Sequence, residues 1–394
     1  MKKIFINSFD LSIGGVERSL INMLNSFDYK KYKIDLMLYK NRGELINLLS
    51  EKVNLLPENR SYSTFGMTIK DLISQKEFRL AFCRIIAKII SKSKFKKETG
   101  YYQDQIVKKI SSKYLDNIET EYDIAISYIW PHNIVANKVR AKKKIAWIHT
   151  DYSQIFINRE LDLNEWNKFD NIIAISQKCM ETFIEIYPDL KEKVSIIENI
   201  TSPRFIKKMS EEKIEENIFN EEYFNLVSVG RLCYSKNFDN AVKVLKVLHN
   251  RGMKNIRWYV IGEGMEEYKI KKLIRENGLE NSFILLGKKT NPYPYMKKAN
   301  LYVQPSRYEG KAVTVVEAQI LEKTVLISNY ETAKSQVNNN IDGYIVEGSI
   351  KGLATGIQEI YSNRELIKNI VYNLQKINYS NYDELEKLYR ILES

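Results

Sequence analysis

Short apolar segments that end in a turn and lead into a helix recur along both halves of the chain. Phe224–Val229 and Leu301–Gln304 are two of them, and each is predicted to be a buried strand. Regular alternation of strands and helices favours parallel sheets covered by helices on both faces. At 394 residues the chain is long enough for two such cores. We therefore expect an α/β protein with two doubly wound, Rossmann-like domains that face each other across a cleft.

Composition narrows the class of protein. The apolar content of 44% and the charged content of 28% are typical of a soluble globular enzyme. No run of eighteen apolar residues predicts a membrane span, and Met1–Asn7 has a basic start without the apolar core of a signal peptide. The three scattered cysteines, Cys83, Cys179 and Cys233, favour a reducing compartment, and the three dispersed histidines predict no metal site.

The net charge of +12 suggests an anionic partner. No helix-turn-helix, RNP or zinc-finger pattern organises this charge for nucleic acid. The excess is concentrated in a segment from about residue 72 to residue 113. Between Phe78 and Ile90 apolar residues recur at steps of three and four, Arg79 and Lys88 lie off that face, and Lys92 to Lys97 is strongly basic. Such a helix either lies on an anionic membrane surface or packs on the core with a basic solvated face.

The stretch from Leu301 to Gly343 carries the strongest chemical pattern. After the strand, Gly310 marks a turn, and Val313 to Leu321 is predicted to be a buried helix. This order aims the N-terminus of the helix at whatever lies above the strand end. Glu309 lies in the turn and Glu317 lies eight positions later, inside the helix. One carboxylate could contact the reacting part of a ligand while the other holds a more distant part.

Two further turns place cations and glycines at predicted strand ends. Arg231 follows the strand that ends near Gly230, and Lys236 precedes the next helix, which suits a diphosphate. The Gly14–Gly15 pair between the first strand and its helix would let backbone N–H groups approach an anion. His149 follows another predicted strand, at the edge where ligands collect in open α/β sheets. A structural histidine and ordinary surface charges are the alternatives at these places.

The segments that contain these residues resemble those of a known enzyme family. The spacing of Glu309 and Glu317, within the words NLYVQPSRYEG and EAQILEKTVLISNYETAKSQV, resembles the E-x7-E signature of the retaining GT4 glycosyltransferases. The words VGRLCYSKN and AWIHTDY resemble other segments of that family. Lys311–Ala312, Glu322 and Thr324 depart from the usual pattern, in which small or apolar residues, glycine and proline stand.

The resemblance implies a fold and a site. The fold is GT-B, with an acceptor-side domain over residues 1–203, a nucleotide-sugar domain over residues 204–375, and a last helix over residues 376–394 that returns to the first domain. The residues with implied catalytic roles are Glu309, Arg231, Lys236 and His149. The residues implied to bind the sugar donor are Gly14, Gly15, Gly230, Gly262, Glu263, Lys311, Ala312, Val313, Thr314 and Glu317.

The resemblance also implies an activity. A sugar would move from a nucleotide diphosphate, such as a UDP-sugar, to a saccharide hydroxyl with retention at the anomeric carbon. No Asp-x-Asp motif is present, so we expect no metal and no other cofactor. The implied acceptor is a lipid-linked saccharide in capsular or cell-surface polysaccharide assembly, handled in the cytoplasm at the inner face of the membrane.

Other functions stay open at this point. A glycoside hydrolase also uses paired carboxylates, but it would not need the Arg231 and Lys236 cations. A non-catalytic nucleotide-sugar-binding or scaffold protein could keep the same fold. Nucleic-acid binding through the net charge would give strongly salt-dependent affinity.

Overall fold

The computed structural model describes residues 1–94, 100–214, 218–220, 222–309 and 312–394. The chain divides into two compact units. The first comprises Met1–Thr201 together with Asn381–Ser394, and the second comprises Ser202–Ser380. Each unit is built on a parallel sheet, as the alternation of strands and helices in the sequence predicts.

The described residues of the first unit form a seven-stranded sheet in the order β3-β2-β1-β4-β5-β6-β7. Its central strands are nearly continuous apolar runs, because helices cover both faces of a parallel sheet. The strands are β1 Lys2–Ser8, β2 Tyr32–Leu38, β3 Asn54–Leu55, β4 Ile118–Ser127, β5 Val139–Ile148, β6 Asn171–Ala174 and β7 Val194–Ile196. The helices are α1 Gly15–Ser26, α2 Arg60–Ser63, α3 Ile69–Ser74, α4 Phe78–Lys94, α5 Gly100–Ser111, α6 Asn133–Lys138, α7 Arg159–Trp166 and α8 Gln177–Ile186.

The described residues of the second unit form a six-stranded sheet in the order β10-β9-β8-β11-β12-β13. Its strands are β8 Phe224–Val229, β9 Ile256–Ile261, β10 Phe283–Gly287, β11 Leu301–Gln304, β12 Val325–Ser328 and β13 Tyr344–Val346. Its helices are α9 Pro203–Met209, α10 Phe238–Asn250, α11 Glu267–Glu276, α12 Tyr293–Lys298, α13 Val313–Ile320, α14 Ile350–Ser362 and α15 Arg364–Lys376. The strand order reverses between β8 and β11, and ligands bind at such reversals in open α/β sheets.

The division between the units differs from the predicted domain boundaries by a few residues. Ser202 belongs to the second unit because its side chain accepts a hydrogen bond from the Phe205 N–H and so caps α9. The sequence analysis placed the domain boundary after residue 203 and missed α9, although a serine followed by Pro203 is a common helix start. At the other end the second unit continues to Ser380 rather than stopping at residue 375.

The last helix, α16 Tyr382–Glu393, packs on the first unit. Its Tyr389 ring stacks on Tyr32 with a centroid distance of 5.4 Å, and the Asp28 N–H donates to the Tyr389 hydroxyl at 2.8 Å. The buried Leu388 adds apolar contact. The sequence prediction of a helix that returns to the first domain is confirmed.

Helix α4 corrects one detail of the sequence analysis. The apolar residues that share a face in the sequence pattern do not share an environment. Ala81 is buried and Ile86 is half-buried, whereas Phe82 and Ile89 are exposed. Residues 95–99 of the predicted basic segment, which include Lys96 and Lys97, lie outside the described residues. In the part of the chain that is described, no helix has the length and apolar content needed to cross a bilayer.

We predict that Tyr389→Ala destabilises the first unit by about 2–3 kcal/mol, because a half-buried ring and a hydrogen bond are lost. The control Tyr389→Phe keeps the ring and should cost only about 1 kcal/mol, the usual value of one hydrogen bond. Urea unfolding followed by tryptophan fluorescence measures both, since Trp130, Trp147 and Trp166 all lie in this unit. Equal stabilities of the Ala variant and the wild type would contradict the packing role of α16.

Candidate functional site

The candidate site lies in the second unit, where β8 and β11 end side by side. The two strands pair in parallel, with Leu226 beside Leu301 and Val227 beside Tyr302. Because parallel strands present their carboxyl ends at the same edge, the segments after Val229 and after Gln304 meet there. These segments carry the cations and the carboxylate that the sequence singled out.

Lys236 lies in the loop between β8 and α10. The loop ends in Asn237, which has a left-handed φ of 62° and donates through Nδ2 to the Pro305 carbonyl at 2.8 Å. The aliphatic part of Lys236 lies across Gly230, where a Cβ would come 3.2 Å from Cδ and Cε of the lysine. A residue larger than glycine at position 230 would therefore crowd Lys236.

Lys236 reaches the predicted catalytic carboxylate. Its Nζ donates to Oε1 of Glu309 at 2.5 Å, and the side chains are only 19% and 11% exposed. The same oxygen accepts from Nε2 of Gln304 at 2.9 Å and from Oγ of Ser306 at 2.6 Å. Three hydrogen-bond donors thus fix the carboxylate, and a charged pair of this kind stabilises a single geometry.

Arg307 holds this arrangement in place, and the sequence analysis gave it no role. Its N–H donates to the Ser235 carbonyl at 2.8 Å, and its guanidinium lies over the Tyr234 ring at 4.1 Å. Nη2 donates to both carboxylate oxygens of Asp239, at 3.0 and 3.1 Å. Burial opposes ionisation of Asp239, but hydrogen bonds from Lys269 and Arg307 keep its pKa below the usual value. Arg307 therefore ties the Lys236 loop to the start of α10.

Arg231 lies at the end of β8 with an exposed side chain. Among the described residues it forms no ion pair with a carboxylate. The Leu232 N–H donates to the Glu263 carbonyl at 3.0 Å. A Cβ at Gly262, where φ is 146°, would overlap the carbonyl oxygen of Gly230. The predicted residues Gly230, Gly262 and Glu263 are thus brought together by close backbone contact.

Helix α13 begins beside these loops without a side-chain cap. The Ala312 N–H donates to Oε1 of Gln336 at 3.2 Å, and the Thr314 hydroxyl accepts from Tyr302 at 2.8 Å. Val313 is the first residue of the helix. Lys311 and Gly310 lie outside the described residues. The N-terminus of a helix attracts anions through its N–H groups and its dipole.

Glu317 lies deeper than the sequence analysis anticipated. The residue is fully buried in α13, and its Oε1 accepts a hydrogen bond from the Tyr293 hydroxyl at 2.8 Å. A role for Glu317 in holding the ribose of a nucleotide stays a prediction.

The remaining candidates belong to the first unit. A Cβ at Gly14 would overlap the carboxylate of Glu17, which folds back over the start of α1, while the space beside Gly15 is open. Burial raises the pKa of Glu17.

His149 follows β5, and its ring packs on Tyr128 with a centroid distance of 4.8 Å. Burial lowers the pKa of His149 to about 4, so the imidazole is neutral at pH 7.

No metal centre accompanies these residues in the part of the chain that the structure covers. Within it, no group of three or more His, Cys, Asp or Glu side chains is arranged to hold a metal ion. The charges available for binding an anion are those of Arg231 and Lys236, together with the start of α13.

Comparison with known proteins finds a family match within the second unit. Residues 209–377 match the family described as "Glycosyl transferases group 1". An uncharacterized glycosyltransferase of Methanocaldococcus jannaschii is 27% identical over 250 residues, which cover 59% of this chain and 60% of the relative. The chain therefore spans less than two thirds of that relative. The poly(ribitol-phosphate) alpha-N-acetylglucosaminyltransferase of Staphylococcus aureus is 21% identical, over 92% of this chain and 93% of its own.

A solved structure shows the same fold along the whole chain. The Anabaena protein HepE, crystallised with UDP and glucose, superimposes with a TM-score of 0.67 at 17% sequence identity, and the match covers 100% of both chains. The predicted fold class, GT-B with two Rossmann-like parallel-sheet domains, is confirmed.

The contact between the Gly230 and Gly262 turns gives a stability prediction. Gly262→Ala should cost about 3 kcal/mol or more, because the new methyl group meets a backbone carbonyl that cannot rotate away. Gly252→Ala is the matched control, since Gly252 also has a positive φ, of 92°, but nothing lies within 4 Å of its Cβ position. It should cost about 1 kcal/mol. Urea denaturation measures both, and equal losses would contradict the close approach.

Proposed function

Residues 209–377 belong to the glycosyl transferases group 1 family, and on that premise we propose that this chain is a retaining glycosyltransferase. It moves a hexose-type sugar from a nucleotide diphosphate, most simply a UDP-sugar, to a hydroxyl group of a saccharide acceptor. The acceptor is lipid-linked, and the product is a capsular or other cell-surface polysaccharide assembled at the cytoplasmic face of a membrane. The observation that carries the proposal is the Lys236–Glu309 pair at the order reversal of the second sheet.

The chemistry follows from the charges around that pair. The bond between the anomeric carbon and the diphosphate breaks, and the negative charge grows on the departing phosphate oxygen. Arg231 is exposed at the strand end and Lys236 is held by Glu309, so both can stabilise that charge. Lys236 has three N–H donors, and it can keep Glu309 as one partner while it binds phosphate with another.

The configuration at the anomeric carbon is retained without a covalent sugar–enzyme intermediate. The acceptor oxygen attacks the face from which the diphosphate leaves, and the acceptor proton passes to the departing phosphate oxygen. Glu309 orients the sugar of the donor, and the start of α13 adds positive potential. The catalytic role of His149, which lies in the first unit and is neutral at pH 7, stays a prediction. No protein nucleophile and no metal ion take part.

Two comparisons support the choice of substrates. HepE, which has the same fold, was crystallised with UDP and glucose. A Staphylococcus aureus relative that matches over 93% of its length is named as a poly(ribitol-phosphate) alpha-N-acetylglucosaminyltransferase. The HepE complex supports a UDP-type donor, and the name of the Staphylococcus aureus relative supports a polymer as the acceptor class.

A donor screen tests the proposal. UDP-, GDP- and ADP-sugars are added to the protein, and a sugar nucleotide that binds the folded state raises the unfolding midpoint. The stabilising donor is then incubated with saccharide acceptors, with and without a metal chelator, and the product is analysed by NMR. We expect transfer with retained anomeric configuration that the chelator does not change. Release of free sugar in place of transfer would indicate a hydrolase, and binding without turnover would indicate a non-catalytic protein.

Substitution of the cations tests the mechanism. Arg231→Ala and Lys236→Ala should each lower kcat about 10²-fold, the scale for losing one group that stabilises charge in the transition state. Lys243→Ala is the control, because Lys243 is an exposed lysine on α10 and should be replaceable without loss. Unchanged turnover in the Arg231 and Lys236 variants would remove both residues from the site.

Arg307 gives a separate prediction about positioning. Arg307→Lys keeps the charge but cannot bind the Tyr234 carbonyl as Nη1 does and Asp239 as Nη2 does at the same time, and it loses the planar contact with the Tyr234 ring. We expect kcat to fall about tenfold through displacement of Lys236, with an unfolding midpoint close to that of the wild type. Wild-type kcat in this variant, measured with saturating sugar donor, would contradict the positioning role.

A further inference from the structure

Strand β11 carries two polar side chains that are completely enclosed by the second unit. Tyr302 is 0% exposed and Gln304 is 1% exposed, and both lie on the same face of the strand because they are alternate residues. The strand runs between β8 and β12 in a parallel sheet, where strands are usually apolar throughout. Polar groups buried at this depth need hydrogen-bond partners.

The amide of Gln304 has a partner for each of its polar groups. Its two N–H groups donate to Oγ of Ser306 and to Oε1 of Glu309, both at 2.9 Å. Its Oε1 accepts from the Tyr302 hydroxyl at 2.7 Å. The amide therefore links a fully buried tyrosine to the carboxylate that is central to the proposed function.

Both ends of this amide favour the same orientation. An amide rotated by half a turn would bring its carbonyl oxygen to the Glu309 carboxylate, and two acceptors cannot bond to each other. Burial raises the pKa of Tyr302, so the hydroxyl keeps its proton and remains a donor to the carbonyl oxygen. Without that donor the buried oxygen of Gln304 would lose its partner at 2.7 Å, which is costly. The Thr314 hydroxyl lies 3.5 Å away, and the amide would have to move to reach it.

The start of α13 joins this network through Thr314. The Tyr302 hydroxyl has one proton and two acceptors within reach, Gln304 at 2.7 Å and Thr314 at 2.8 Å. When Gln304 receives that proton, the threonine hydroxyl can be the donor in its contact with the tyrosine. A hydrogen-bond relay then runs Thr314–Tyr302–Gln304–Glu309, and bonds aligned in one direction strengthen one another.

We propose that Tyr302 is a positioning residue, which aims the Gln304 amide at Glu309 and so fixes the carboxylate that orients the donor sugar. Tyr302 is fully buried and acts through its neighbour. The inference rests on the proposed function in one respect, namely the role given to Glu309. Lys236 and Ser306 donate to the same carboxylate oxygen, so the loss of Tyr302 should displace the carboxylate rather than free it.

Turnover tests the role of Tyr302. Tyr302→Phe keeps the buried ring and removes only the hydroxyl, and it should lower kcat about tenfold at saturating sugar donor, a loss comparable to one hydrogen bond. The affinity for UDP should stay that of the wild type, because UDP lacks the sugar that Glu309 orients. Wild-type kcat in this variant, or UDP affinity that falls as much as kcat, would overturn the proposal.

A second variant tests whether Tyr302 acts through the amide. Gln304→Met keeps the length of the side chain but removes its donors and its acceptor, and it should lower kcat at least about tenfold. Adding Tyr302→Phe to Gln304→Met should then cause no further loss, because the effects of residues in one network do not add. A further loss of about tenfold in the double variant would show an independent role and would contradict the relay.

Tyr259→Phe is the matched control. Tyr259 is also buried in a strand of the second unit, at 4% exposure, and its hydroxyl donates to the Ile218 carbonyl at 3.1 Å. Its loss should lower the unfolding midpoint about as much as the loss of the Tyr302 hydroxyl, while kcat stays at the wild-type value. An equal fall of kcat in both tyrosine variants would assign the effect to stability and would overturn the positioning role.

The amide signals of Gln304 test the relay without any measurement of activity. In protein that contains isotope-labelled glutamine, the side-chain NH2 signals of Gln304 are identified in NMR spectra by their loss in Gln304→Met. Tyr302→Phe should shift these signals and speed their exchange with solvent, whereas Tyr259→Phe should leave them in place. Unshifted signals would overturn the relay even if the wild type transfers sugar. A shift in a wild-type protein that transfers no sugar would support the relay and overturn the proposed function.

Discussion

The ion pair between Lys236 and Glu309 depends on a constraint of the parallel sheet. β8 and β11 are neighbours although more than seventy residues separate them in the chain, and both end at the same edge. The close backbone approach at Gly230 and Gly262 lets the lysine cross the strand end. A partly buried carboxylate without its cation would be costly, and so would the cation alone. The pair therefore fixes the geometry of the site before any ligand arrives.

The sequence predicts this part of the fold well because the signals are local. β8 and β11 have the predicted bounds, and α13 ends one residue earlier than predicted. Apolar runs, turn residues and a helical period are properties of neighbouring residues, and they need no knowledge of the tertiary structure. The resemblance to a known family then supplied roles for Arg231, Lys236 and Glu309 that spacing alone leaves open.

Other features of the site were beyond the sequence because they depend on partners far apart in the chain. Arg307 and Asp239 are 68 positions apart, and nothing local marks them as a pair. The folding of Glu17 over Gly14 is a local contact, but it depends on a side-chain conformation that the sequence does not reveal. The glycine pair suggested room for a phosphate where the chain has placed its own carboxylate. In α4 the periodicity predicted the helix but not which side would pack, because Ala81 and Ala87 permit a closer approach than Phe82 would.

Helix α16 follows the second unit in the chain but packs on the first, so the two units are completed at different points of synthesis. The second unit is one continuous stretch of chain, so all of its strands are available once Ser380 has left the ribosome. The first unit begins earlier but lacks the helix that covers Tyr32 until residues 381–394, which follow the second unit in the chain, have been made. Although N-terminal domains usually complete their folding first, here the first unit can be completed only after every residue of the second unit has been made. A chain truncated within α16 would therefore contain every residue of the second unit but only part of the first.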